Sequence, residues 1–86
     1  MGERPLDFLD KRLGKRVMVE LKDGRKISGV LRAFDLHLNT WMDDAEYTTT
    51  WITEDEKGQI KEETDTIKLG SVMLRGDSIV MFSGEK

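Results

Sequence analysis

The sequence predicts an all-β domain: a five-stranded antiparallel sheet bent into a small barrel, preceded by one short α-helix. Three observations carry that prediction. Short runs rich in β-branched and aromatic residues are separated by turn signals such as Asp23-Gly24 and Arg75-Gly76-Asp77. Gly29 and Gly70 fall inside two of those runs, where a strand bulges or bends. Apolar residues at helical spacing open the chain, at Leu6, Leu9 and Leu13.

The helix is expected over residues 5–13. Pro5 suits a first helical position and Gly14 suits the residue just past the end. Asp7 precedes Lys11 by one turn, and the acids lie early and the bases late, as the helix dipole favours. Phe8 falls off the apolar stripe, either partly exposed or against another subunit.

The strands follow in order. Residues 16–22 alternate cleanly, which points Val17, Val19 and Leu21 at a core. Asp23-Gly24 reads as a two-residue hairpin turn. The second strand runs from about Arg25 to Phe34; its broken alternation and Gly29 predict a bend. The third begins near Leu38 and resumes through Tyr47–Thr53 after a polar interruption at residues 43–46. An acidic turn centred on Gly58 leads to a fourth strand, from near Ile60 to Leu74 with a bend at Gly70. Arg75-Gly76-Asp77 is a tight turn, Ser78–Phe82 the fifth strand, and Gly84-Glu85-Lys86 a frayed end. Strands placed last and this apolar would be exposed sheet edges unless a second copy pairs with them.

At 86 residues the chain fits one domain, and so short a domain buries only about 60–65% of its unfolded surface. There is no cysteine, so oligomerisation is the remaining common source of extra stability. No apolar run reaches membrane-spanning length and no signal peptide opens the chain, so a soluble cytoplasmic protein without membrane partners is expected. Residues 1–34 carry nine Lys/Arg against five Asp/Glu, whereas residues 35–86 carry five against twelve. That asymmetry allows one basic and one acidic face on a chain of net charge −3. With one histidine and no phosphate-binding glycine loop, neither an enzyme nor a metal or cofactor site is expected. Asp43 and Asp44 are adjacent, and neighbouring strand residues face opposite ways, so they form no catalytic dyad.

The candidate site is Phe34-Asp35-Leu36-His37-Leu38-Asn39. Asp35, His37 and Asn39 recur at every second position, which in an extended chain turns all three the same way. An acid, a flat ring and an amide in a row read as a small recognition surface.

Two longer stretches identify a family. Leu21-Lys22-Asp23-Gly24-Arg25, Gly29 through Asn39 and Asp43-Asp44-Ala45-Glu46 resemble the first Sm motif, and Leu69 through Val80 resembles the second. The chain is similar to Sm-like (Lsm) proteins, most of all the archaeal ones. The resemblance divides a single domain 1–86 into a helix about 5–13, a first motif about 17–46, a variable hairpin about 47–65 and a second motif about 66–83. It implies a strongly bent five-stranded barrel and a closed homo-oligomeric ring, usually heptameric, joined through the fourth and fifth strands. It also implies binding of uridine-rich single-stranded RNA at the inner rim, for RNA processing, metabolism or chaperone work. By that resemblance His37 and Arg75 stack on a base, Asn39 bonds its edge, and Asp35 and Asp77 hold neighbouring groups in place. Gly76 lets the backbone approach closely. Arg4 on the helix face is a candidate contact to the RNA backbone. Other ribonucleoprotein components are further possible partners.

The chain departs from the family at Thr40 and Trp41, where smaller aliphatic residues are usual, and in the long acidic segment from about Tyr47 to Asp65. Trp41, Tyr47 and Trp51 read as packing residues, at a subunit or ring–ring contact. The acidic hairpin and negative net charge also fit a competing reading, a structural ring or protein-interaction scaffold with weak or absent RNA binding.

Overall fold

The computed structural model describes residues 4–84. A helix, α1 (Pro5–Asp10), precedes five strands: β1 (Arg16–Leu21), β2 (Lys26–Phe34), β3 (Thr40–Glu54), β4 (Ile60–Leu74) and β5 (Ile79–Gly84). A single 3-10 turn, Gly76–Ser78, joins β4 to β5. Every pairing is antiparallel and the sheet order is β4-β3-β2-β1-β5. Each strand therefore pairs with its chain neighbour, except that β5 returns to β1 and leaves β4 and β5 as the two open edges.

The helix is shorter than the expected 5–13. The Arg4 backbone N–H donates to the Asp7 carboxylate at 2.9 Å, which caps the start. Residues 11–14 continue as turns up to Gly14 at φ 81°, and Leu13 is left exposed. Of the leucine stripe, Leu9 alone is fully buried. Phe8 is half-buried, with the Arg12 guanidinium 3.6 Å from its ring centre.

The core is small and comes from the front half of the chain. Leu9, Val17, Val19, Leu21, Ile27, Leu31, Met42 and Ala45 are buried together, and Val17, Val19 and Leu21 point inward as expected. Each large aliphatic side chain buried in this way stabilises by about 1.5–3 kcal/mol. Thr40 is also buried, and its hydroxyl donates to the Leu38 carbonyl at 2.7 Å, so the polar atom is satisfied.

One line across the sheet produces the bend. On β2, Gly29 is skipped between the pairs Ser28–Glu46 and Val30–Asp43. A Cβ on Gly29 would sit 2.9 Å from the Asp43 carbonyl oxygen, so only glycine lets β2 and β3 approach this closely. Opposite it, Asp44 takes a left-handed φ of 49° and Gly70 one of 76°, and the β3–β4 register shifts around Ala45. Gly29 and Gly70 were legible as bend positions; Asp44 was not, because its turn comes from a bulge in a strand that otherwise runs unbroken for 15 residues.

Beyond that line β3 and β4 leave the barrel as a long ribbon. The longest axis of the molecule is 56 Å, and its radius of gyration of 15.6 Å exceeds the roughly 12 Å of a compact domain this size. Trp51, Ile52 and Ile60 are exposed on this ribbon, whereas Tyr47 packs partly against the core. Among the described residues, no helix is long and apolar enough to cross a membrane. Of the expected frayed end, Gly84 closes β5, and Glu85 and Lys86 lie outside the described residues.

Candidate nucleic-acid interface

All three hairpins close on one turn design. In each, the first residue's N–H donates to the carbonyl four positions on, and the fourth residue's N–H donates back to the first carbonyl. This holds for Leu21–Arg25, Asp35–Asn39 and Asp55–Gln59. The fourth position is left-handed every time: Gly24 at φ 90°, Leu38 at 64° and Gly58 at 79°. This is a three-residue loop with a terminal bulge, not the two-residue turn expected at Asp23-Gly24.

The Asp35–Asn39 turn stands out because its left-handed residue is a leucine, which costs about 1–2 kcal/mol relative to glycine. Two features offset that cost. Leu38 packs against the core, and Asp35 holds the turn from within. One Asp35 carboxylate oxygen accepts the N–H of His37 at 2.9 Å and of Asn39 at 3.0 Å; the other accepts the Asn39 side-chain amide at 3.0 Å. The Asn39 amide, and then the two backbone N–H groups, hold the Asp35 carboxyl below its ordinary titration range. Asp55 grips its own turn in the same manner, through Lys57 and Gln59.

This geometry corrects the extended-strand expectation. Asp35, His37 and Asn39 do not share a strand face: residues 35–39 form a turn, with Asp35 directed onto its own backbone. The sequence signal was present, since Asp35 to Asn39 has the spacing of Asp55 to Gln59 with leucine in place of glycine.

Asn39 connects this turn to the second motif. Its Oδ1 accepts the Gly76 backbone N–H at 2.9 Å, across 37 positions of sequence. The approach leaves no room for a side chain at residue 76, where a Cβ would lie 1.8 Å from the His37 carbonyl oxygen. Beyond Gly76, the Arg75 guanidinium meets the Asp77 carboxylate at 3.2 Å, both side chains being exposed. Asp77 thus orients Arg75 and not the Asn39 amide.

His37, Asn39, Arg75, Gly76 and Asp77 line one open cleft of about 430 Å³. Asp35 stands behind it as a support. Arg4 is not part of the cleft; it caps α1, 3.7 Å from Asp7. Asn39 spends one amide hydrogen on Asp35 and one Oδ1 lone pair on Gly76, which leaves one donor and one acceptor side by side for a ligand. A flat ring, a guanidinium and a directed amide around an open cleft suit a planar heterocycle with an imide edge.

Asp43 is engaged elsewhere, accepting from the Ser71 hydroxyl and lying 3.4 Å from Arg32. Trp41 is 41% exposed, with the Arg32 guanidinium 5.9 Å from its ring.

Comparison with known proteins agrees with this architecture. The LSM domain model matches residues 7–84. A snRNP Sm-like protein of Methanococcoides burtonii is 37% identical over 83 residues, covering 96% of this chain and 99% of the relative. The structure of a heptameric archaeal Sm protein superimposes with a TM-score of 0.69 at 30% identity, covering 92% of this chain and 97% of that one. The Sm protein of Pyrococcus abyssii, solved in complex with a uridine heptamer, superimposes with a TM-score of 0.71 at 32% identity, covering 96% and 100%. On the match to its domain model and the identity of its relatives, this chain belongs to the LSM domain family of Sm-like proteins.

Proposed function

We propose that this chain is a non-catalytic, cytoplasmic RNA-binding protein that forms a homo-oligomeric ring and holds uridine-rich single-stranded RNA at its inner rim. The observation that carries the reading is the Asn39–Gly76 hydrogen bond, which assembles both motifs into one cleft. The uridine heptamer bound by the similar Pyrococcus abyssii protein supports the ligand, and the heptameric archaeal protein supports a ring of seven.

The roles follow from the cleft. His37 and Arg75 sandwich a base, worth about 1–3 kcal/mol per base. The free Asn39 donor and acceptor complement the uracil imide edge. Asp77 orients Arg75, Asp35 fixes the turn, and Gly76 allows the loops to touch. Arg4 contacts the RNA backbone from the helix face. One slot is weak, and a ring of slots gains affinity by multivalency.

Edge pairing between β4 of one copy and β5 of the next builds the ring. Both strands are free edges carrying exposed apolar side chains: Ile67, Leu69 and Met73 on β4, and Val80 and Met81 on β5. The whole chain acts as a single domain within such a ring. The cysteine-free sequence suits the reducing cytoplasm. RNA processing or chaperone work is the setting that fits.

Titration of labelled oligo-U against oligo-A and oligo-C of equal length at fixed moderate salt tests the reading. Preference for oligo-U supports it. Equal or absent affinity in an intact ring contradicts it and favours the scaffold alternative.

A further inference from the structure

We propose that the outer edge of β4 along the hairpin, residues 60–66, takes up an extended basic segment of a partner protein as an added β-strand. The proposal rests on the ring described above, because the ring decides how much of β4 stays open.

The ring joint cannot cover the whole strand. β4 has 15 residues and β5 has six, so a neighbouring β5 pairs with less than half of β4. The exposed apolar side chains that suit the joint, Ile67, Leu69 and Met73, all lie from residue 67 onward. Residues 61–66 are Lys, Glu, Glu, Thr, Asp and Thr, with no apolar side chain among them.

The backbone of this stretch is half satisfied. On its inner side it is laddered to β3 from Glu54–Ile60 to Thr48–Thr66, without a register shift. On its outer side β4 ends the sheet, so alternate N–H and C=O groups point outward with no strand to meet them. β2 pairs no further along β3 than Lys26 opposite Thr48, so the hairpin beyond is a ribbon of two strands. Such a ribbon is marginal alone and gains from a third strand.

Charge selects the partner. Residues 60–66 contain neither a proline nor a bulge, two devices that blunt natural sheet edges. Instead Glu62, Glu63 and Asp65 outnumber Lys61, and residues 54–65 hold six Asp/Glu against two lysines. Acid against acid repels a second copy of the same edge, and it repels the phosphates of RNA. A strand rich in lysine or arginine meets complementary charge. The open stretch of β3, residues 49–54, holds Glu54 as its single acid, so the charge singles out β4.

One face of the ribbon adds an apolar requirement. Cross-strand partners share a face, and the register pairs Ile52 with Glu62 and Glu54 with Ile60. Ile52 is 70% and Ile60 72% exposed. A strand laid along β4 puts alternate side chains on that face, beside Ile60, and the others on the opposite face, beside Glu63 and Asp65. The partner is thus a segment of alternating apolar and basic residues, held by main-chain hydrogen bonds. The edge also lies away from the base cleft: β3 starts at Thr40, next to Asn39, and reaches Glu54 after about 14 steps of roughly 3.3 Å along a bent path. RNA and the partner segment therefore bind together without competing.

The test uses fluorescein-labelled Lys-Val-Lys-Val-Lys-Val-Lys, titrated into the intact protein at fixed moderate salt and followed by anisotropy. Binding is expected, with new hydrogen-exchange protection at alternate amides of residues 60–66. The equally charged Lys-Val-Lys-Pro-Lys-Val-Lys is expected to bind about tenfold more weakly or worse, because proline breaks the added ladder. Glu62→Lys/Glu63→Lys and the milder Glu63→Gln/Asp65→Asn are expected to weaken the first peptide about tenfold or more, with ring mass and oligo-U binding unchanged. Absent binding, equal binding of the proline peptide, binding without protection of residues 60–66, or variants that bind like wild type each overturn the proposal. Peptide-free rings that associate through this edge, and separate in the charge-reversed variant, assign it to a second copy and overturn the proposal too. Light-scattering mass separates the two readings: a ring that ignores the peptide overturns the strand addition alone, whereas a monomer overturns the ring and with it the division of β4.

Discussion

Asn39 Oδ1 accepts the Gly76 backbone N–H at 2.9 Å, and this bond turns two separate motifs into one cleft. The same side chain donates to Asp35, so Asn39 is held from both sides before any ligand arrives. Such preorganisation reduces the ordering cost of binding.

Replacing Asn39 tests that link. Asn39→Ala leaves the part-buried Gly76 N–H without its partner, at a cost of about 1–3 kcal/mol in chemical denaturation. Asn39→Asp is expected to cost more, since it sets a second carboxylate against Asp35. Both variants are expected to lose oligo-U binding.

Gly76→Ala forces a Cβ to within 1.8 Å of the His37 carbonyl oxygen, so the two loops must separate. Overpacking of this kind costs about 1–3 kcal/mol or more. Thermal melting is expected to show the loss. Melting at the wild-type temperature would place the loop contact elsewhere.

His37→Ala and Arg75→Ala remove exposed side chains that carry no part of the core. Each is expected to weaken oligo-U binding about 5- to 150-fold, the equivalent of about 1–3 kcal/mol, with ring mass and melting temperature unchanged. Loss of the ring in either variant would mean that the residue builds the assembly and not the slot.

The Asp35 turn carries a pH dependence of defined sign. Its carboxyl titrates below the ordinary value because the folded turn bonds the charged form. The stabilisation is therefore complete above the ordinary carboxylate range and is lost as pH falls through the lowered value. The hydrogen bonds that the Asn39 backbone and side-chain amides make to Asp35, followed by NMR through the exchange protection of those protons, are expected to persist from neutral to about pH 5 and to be lost only in stronger acid. In Asp35→Asn that acid step is expected to vanish.

Val80→Lys or Met73→Lys places a charge on an edge whose apolar side chains are 60% and 68% exposed in the single chain. Each is expected to yield smaller assemblies by light scattering, because burying an unpaired charge is costly. Retention of full ring mass would exclude β4–β5 pairing as the joint.

Much of this was legible in the sequence because local chemistry governed it. Alternation placed Val17, Val19 and Leu21 in the core, and Gly29 and Gly70 marked the bend. What escaped depended on context. Leu38 adopts a glycine-like conformation because packing and the Asp35 cap outweigh its intrinsic preference. The helix stops at Asp10 because the chain turns toward β1, leaving Leu13 outside. Asp35 was expected to share a strand face with His37 and Asn39 and instead turns onto its own backbone, a geometry in keeping with the holding role that the family resemblance implied. No pattern within residues 34–39 could show that Asn39 reaches Gly76, which the pairing of β3 with β4, Thr40 opposite Leu74, brings near.

The central claim is that the binding unit is a ring of these clefts. Light-scattering mass measured with and without oligo-U, and with oligo-A as control, tests it most directly. The expected result is a ring of constant subunit number that gains one oligo-U and ignores oligo-A. A monomer that binds oligo-U as tightly as any assembly, or a ring indifferent to oligo-U, would contradict the account.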